Sequence, residues 1–168
     1  SSAAVYGPAA GKLEEARALS PQSAYGQAKA RMEREGAMLG AELGVGVTSL
    51  RIGNVAGADA ILGGWREGFT LDQFADGRTP RRSYIGPVTL ARVLWELTQA
   101  ADVPDVLNVA QPGTVEMGAL LAAAGLAWTP RPAPEGAIEE VALDVARLAR
   151  RVEIEPGRAE EMVAEWRI

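Results

Sequence analysis

The run from Ser20 to Ile52 limits the fold most, because it reads as one long helix, a glycine stop and one buried strand. Ser20-Pro21 offers a hydroxyl cap and a proline for the first helical position. The helix is predicted to reach about Leu43, with Met32, Gly36, Leu39 and Leu43 as its buried stripe, and Gly44 stops it. Gly36 and Gly40 weaken helix propensity, which implies close packing against a neighbour. Val45 to Ile52 is rich in β-branched and aliphatic residues, as a buried parallel strand requires. Gly53 to Gly57 is then predicted to loop at the carboxyl end of that strand, where ligands gather in open α/β sheets.

Within the helix, Tyr25 and Lys29 stand four apart and so share a face. A free tyrosine titrates near pH ~10, and a nearby cation favours its phenolate, so the pair suits proton transfer. Ser2 is a candidate for holding the reacting oxygen. The chain has no cysteine and no histidine, which excludes disulfides, thiolate nucleophiles, histidine triads and His/Cys zinc sites. Acid/base work therefore falls to Tyr, Lys, Asp or Glu. A net charge of −5, with the basic residues dispersed, predicts neither nucleic acid nor an anionic membrane as partner. No apolar run approaches the ~20 residues of a membrane span and no leader pattern is visible, so a cytoplasmic location is expected.

Three ordered motifs, SSAAVYG (Ser1 to Gly7), PQSAYGQAK (Pro21 to Lys29) and LRIGNVAG (Leu50 to Gly57), carry a family resemblance. They resemble the extended short-chain dehydrogenase/reductase superfamily, the NAD-dependent epimerase/dehydratase group. The resemblance implies an α/β fold: the C-terminal part of a Rossmann-like, doubly wound parallel sheet with a small α+β substrate-binding lobe. Residues 1–57 would complete the dinucleotide-binding domain with its catalytic residues. Residues 58–168 would form mainly the substrate lobe, with helix and strand 89–110 returning to the Rossmann side. No glycine-rich strand-to-helix turn of the pyrophosphate-binding kind is present. The family comparison accordingly implies an N-terminal Rossmann half upstream of Ser1.

The same resemblance implies Ser2, Tyr25 and Lys29 as catalytic residues, with NAD or NADP as cofactor and NAD preferred. Tyr25, Lys29, Gly53 and Val55 would border the cofactor, and Ser2, Ala3, Asn54 and Arg82 the substrate. Arg82 aligns with an arginine that grips a diphosphate, whereas Gly86, Pro87, Val88 and Thr89 depart from the family's His and Asp positions. Ala3 and Ala4 stand where dehydratases place an Asp-Glu pair, which argues for an epimerase or a sugar dehydrogenase/reductase acting on a sugar or nucleotide-sugar. A non-catalytic dinucleotide sensor or structural protein on the same fold is the alternative. Family members also form homodimers, and Arg31, Glu35 and Met38 would lie on the outer side of the shared helix.

The remaining chain is predicted as follows. Ala58 to Arg78 is irregular with a turn at Asp76-Gly77, and Ser83 to Ile85 is a short strand. Thr89 to Ala101 is an amphipathic helix, with Leu90, Val93, Leu94 and Leu97 on one side, and Val106 to Ala110 is a strand. Met117 to Ala124 is a helix ended by Gly125, and Thr129 to Pro134 is extended. Two helices, Leu143 to Arg151 and Pro156 to Arg167, close the chain.

Overall fold

The computed structural model describes residues 1–9 and 11–168. A 3-10 helix, Ala3–Tyr6, leads through strand β1, Gly11–Leu13, into helix α1, Ala24–Leu43. Strands β2 (Ser49–Ile52), β3 (Asn54–Val55), β4 (Thr70–Gln73), β5 (Arg81–Arg82) and β6 (Tyr84–Ile85) come next. Helix α2 (Pro87–Gln99), strands β7 (Val106–Val109) and β8 (Val115–Glu116), and helix α3 (Met117–Ala124) follow. Strands β9 (Thr129–Pro132) and β10 (Glu140–Leu143) and helices α4 (Ala146–Ala149) and α5 (Ala159–Trp166) complete the chain. None of these helices is long and apolar enough to cross a membrane.

Strand pairing is almost wholly parallel. β2 runs beside β7, β3 beside β6, β4 beside β9, and β10 lies between β1 and β5. Among the described residues, only β5 and β8 pair antiparallel. The most informative point is Gly53, where one extended segment changes neighbours. Its own N–H goes to the Val109 carbonyl at 2.9 Å, and the next N–H, of Asn54, goes to the Ser83 carbonyl at 2.9 Å. A Cβ at position 53 would stand 2.6 Å from the Ser83 carbonyl oxygen, so only glycine lets the strands part here. Neighbour exchange at the carboxyl end of a parallel strand opens a crevice, as at the switch points of doubly wound sheets.

Two apolar cores flank this point. One gathers Val5, Leu13, Ile85, Val93, Leu107, Val109 and Leu148, and the other Leu62, Tyr84, Leu120, Leu121, Met162 and Val163. Adjacent residues of β6 serve different cores, Ile85 the first and Tyr84 the second, as alternation along a strand dictates.

Several boundaries differ from expectation. α1 begins at Ala24 rather than Ser20, because Ser23 is the cap: its Oγ accepts the Gly26 N–H at 3.0 Å. The predicted stripe of α1 is largely exposed, Met32 at 44%, Leu39 at 54% and Leu43 at 70%. The buried face instead carries Gly26, Ala30, Glu33 and Gly40. Only Ser49–Ile52 of the expected strand is ordered as β2, and Asn54 and Val55 form β3 rather than a loop. The segment 58–78 contains β4, which takes its ladder from the proline-rich β9. Leu143 ends a strand, leaving a single helical turn at Ala146–Ala149, and the last helix spans Ala159–Trp166.

Candidate active site

A cleft of about 260 Å³ opens where the strand switches neighbours, lined by Ser1, Ser2, Tyr25, Ile52, Gly53, Asn54, Val55, Ala58 and Asp59. Three separate elements supply it. The first is the N-terminal segment, where Ser2 makes an isolated parallel bridge to Ile52. Ser2 Oγ accepts the Ala4 N–H at 3.2 Å and caps the 3-10 helix, which leaves its own O–H free to donate.

The second element is α1. Its first turn lies close to the 3-10 helix: a Cβ at Gly26 would stand 2.6 Å from the Ala4 carbonyl oxygen. That approach brings Tyr25 to the cleft, where it is 57% exposed. Lys29, one turn on, is half-buried and holds its ammonium 5.5 Å from the centre of the Tyr25 ring. Among the described residues, no hydrogen bond or ion pair engages Tyr25 Oη or Lys29 Nζ, so both are available to a ligand.

The third element is the β2–β3 segment with the turn after it. Asp59 Oδ2 accepts the Tyr84 hydroxyl at 2.8 Å and its Oδ1 accepts the Leu62 N–H at 3.0 Å, fixing the floor of the cleft. Burial, with the Asp59 carboxylate beside it, pushes the Tyr84 phenol far above its ordinary range. Tyr84 is therefore a fixed hydroxyl donor rather than a second proton-transfer group.

Of the residues expected at a site, Ser2, Tyr25, Gly53, Asn54 and Val55 line this one cleft, and Lys29 stands beside it. Ala3 and Arg82 do not line it. Ala3 sits in the 3-10 helix. Arg82 is half-buried, and its Nη1 donates to the carbonyls of Arg81 at 2.7 Å and Glu139 at 3.2 Å. Burial lowers its pKa, and no carboxylate pairs with it among the described residues. Sequence reading missed Ser1 and Asp59. Ser1 carried no separate signal, while Asp59, two residues past the LRIGNVAG motif, is an acidic residue next to a predicted ligand loop.

The departure at Gly86 has a structural cause. A Cβ there would run into the Glu165 carboxylate, which reaches from α5 to accept the Thr89 N–H at 2.8 Å and the Thr89 hydroxyl at 2.6 Å. A carboxylate at a helix N-terminus satisfies a free amide and opposes the helix dipole.

No curated protein sequence matches the chain. Solved structures do, over nearly its whole length. A UDP-glucose-4-epimerase from Stenotrophomonas maltophila, with bound NAD and formylated UDP-arabinopyranose, superposes with a TM-score of 0.78 at 18% identity, covering 99% of this chain and 61% of the other. A UDP-glucuronic acid 4-epimerase from Bacillus cereus in complex with NAD gives 0.72 at 17%, covering 99% and 57%. A UDP-galactose 4-epimerase gives 0.66 at 25%, covering 98% and 59%. The chain thus spans about three fifths of the length of these proteins and shares their fold. The family model described as NAD dependent epimerase/dehydratase family matches residues 1–110. With that match over most of its length, the chain belongs to the NAD-dependent epimerase/dehydratase family.

Proposed function

We propose that this chain carries the proton-transfer and substrate-orienting groups of an NAD-dependent epimerase or sugar dehydrogenase/reductase acting on a nucleotide-sugar. The observation that supports it most is the convergence of Ser2, Tyr25 and Asn54 on one cleft, with the Lys29 ammonium beside the phenol. Tyr25 takes the proton of a substrate hydroxyl, or returns it to a carbonyl oxygen, and the Ser2 O–H donates to that same oxygen. Asn54 orients the sugar from the strand side. General acid/base assistance of this type contributes roughly 10²–10⁴-fold.

The donor set fits a nicotinamide nucleotide. Lys29 Nζ and Tyr25 Oη, both unengaged among the described residues, suit the hydroxyls of a ribose, while Gly53 and Val55 offer backbone and an apolar side chain at the strand end. When bound, that cofactor supplies the hydride acceptor and donor. The structures of similar fold include several complexes with NAD, which favours NAD over NADP. Arg82, a desolvated guanidinium with no carboxylate partner among the described residues, remains the proposed contact for a diphosphate. The division near residue 57 into dinucleotide and substrate sides is part of the same proposal. So is a homodimer, for which Met38, Leu39 and Leu43 on α1 leave exposed apolar surface.

The test is Tyr25→Phe in the intact protein, following the near-ultraviolet absorbance of the reduced cofactor against a panel of UDP-sugars. Turnover is expected to fall by about 10²–10⁴-fold, while cofactor affinity, which loses one hydroxyl contact of several, falls far less. Turnover equal to the wild type removes the proposal. Tight cofactor binding with no turnover in either form favours a sensor.

A further inference from the structure

The row that brings Tyr25 and Lys29 to the cleft continues into the protein. Glu33 follows Lys29 by four residues, on the same face of α1, and is buried at 8% exposure. Its carboxylate is held in a fork by Arg51 of β2, itself 5% exposed. Nε lies 3.0 Å from Oε1, and Nη2 lies 2.8 Å from Oε2. Two parallel bonds of this kind fix orientation as well as distance. Ser1 Oγ donates to the same carboxylate at 2.5 Å. The remaining Arg51 nitrogen, Nη1, donates at 3.0 Å to both Tyr6 Oη and the Glu15 carbonyl. Tyr6 Oη donates in turn to Asn108 Oδ1 at 2.7 Å, in β7.

Each arm of this node adjoins a different wall of the cleft. Ser1 precedes Ser2, Arg51 lies just before Ile52, Gly53 and Asn54, and Glu33 is one turn beyond Lys29. A buried ion pair adds little to stability compared with apolar residues of the same volume, and in some proteins its retained role is to fix how elements register against one another. We infer that Glu33 and Arg51 are positioning residues, clamping α1, β2 and the N-terminal segment so that Tyr25 and Ser2 address one substrate oxygen while Asn54 orients the sugar. The inference rests on the proton-transfer reading above. Displacements of about 1 Å at a reacting centre cost on the order of 10²-fold in rate, which is the scale on which the clamp acts.

The experiment compares Glu33→Gln, Arg51→Lys and the apolar double variant Glu33→Leu with Arg51→Met in the intact protein. Tyr25→Phe is run in parallel. For each, kcat per folded molecule, KM for the UDP-sugar, Kd for NAD and the thermal midpoint are measured. A positioning role predicts a fall in kcat of roughly 10- to 100-fold, with KM and Kd changed by less than about twofold. The double variant, free of an unpaired buried charge, keeps the fold and still loses kcat. Unchanged kcat per folded molecule in Arg51→Lys and the double variant, whatever their thermal midpoints, overturns the inference. Inactive Tyr25→Phe with unchanged kcat in the pair variants overturns the positioning role alone. Full activity in Tyr25→Phe overturns the proton-transfer reading and the positioning role with it.

Discussion

The three tyrosines show how one side chain takes its chemistry from its surroundings. Tyr25 is mostly in solvent, whereas Tyr6 and Tyr84 are 1% exposed. Burial raises the Tyr6 phenol above its ordinary range, with the bond from Arg51 pulling partly the other way. Burial and the Asp59 carboxylate raise Tyr84 further. A phenol whose folded pKa exceeds its unfolded value contributes stability that is complete below pH ~10 and is lost as pH rises beyond it. A spectrophotometric titration of phenolate absorbance is therefore expected to show two tyrosines ionising only as the chain unfolds in alkali. Ionisation of Tyr6 or Tyr84 in the native state near pH ~10 would contradict their buried environments.

Among elements, α1 departs most from its expected form. Large apolar residues at helical spacing suggested which face is buried, but the residues inside are mostly small. A Cβ at Gly40 would meet Val47 Cγ2 at 2.7 Å and the Val45 carbonyl oxygen at 2.8 Å, so the helix rests almost directly on backbone. A face of Gly and Ala has no hydrophobic signature of its own, and its burial depends on how near the neighbouring chain comes. The start of the helix is local, however, and testable. Ser23→Ala removes the bond to the Gly26 N–H and is expected to cost about 1 kcal/mol, measured by denaturant unfolding. Ser20→Ala, lying outside the helix, is expected to cost less; the reverse order would return the cap to Ser20.

For the whole molecule, acid stability follows from carboxylates held by partners. Burial pushes Glu33 up, yet the hydrogen bonds from Arg51 and Ser1 prevail and keep it below its ordinary range. Asp144 is lowered by the bond from Lys12, then by the Ala146 N–H, and Glu140 chiefly by Thr114. A carboxyl whose folded pKa is depressed contributes stability that is present above its unfolded value, about pH 4, and is lost as pH falls through the folded value. Acid unfolding followed by circular dichroism is thus expected below about pH 4. Glu33→Gln should show a shallower pH dependence in that window; an unchanged slope would mean that Glu33 is not ionised in the fold.

The α/β sheet followed from the motifs' resemblance to a family; spacing and composition by themselves put Tyr25 and Lys29 on one helix face and Asn54 at the end of a parallel strand. These are short-range relations, carried by helical and strand periods. The Glu33–Arg51 clamp was not legible, because its partners lie 18 residues apart on different elements and a charged residue in a helix ordinarily reads as surface. Nor was the exchange of neighbours at Gly53, which depends on strands 84–85 and 106–109 arriving from far along the chain. Local pattern names the groups that could do chemistry; long-range packing decides which of them face one another, because contacts across the chain depend on the distance and direction of approach.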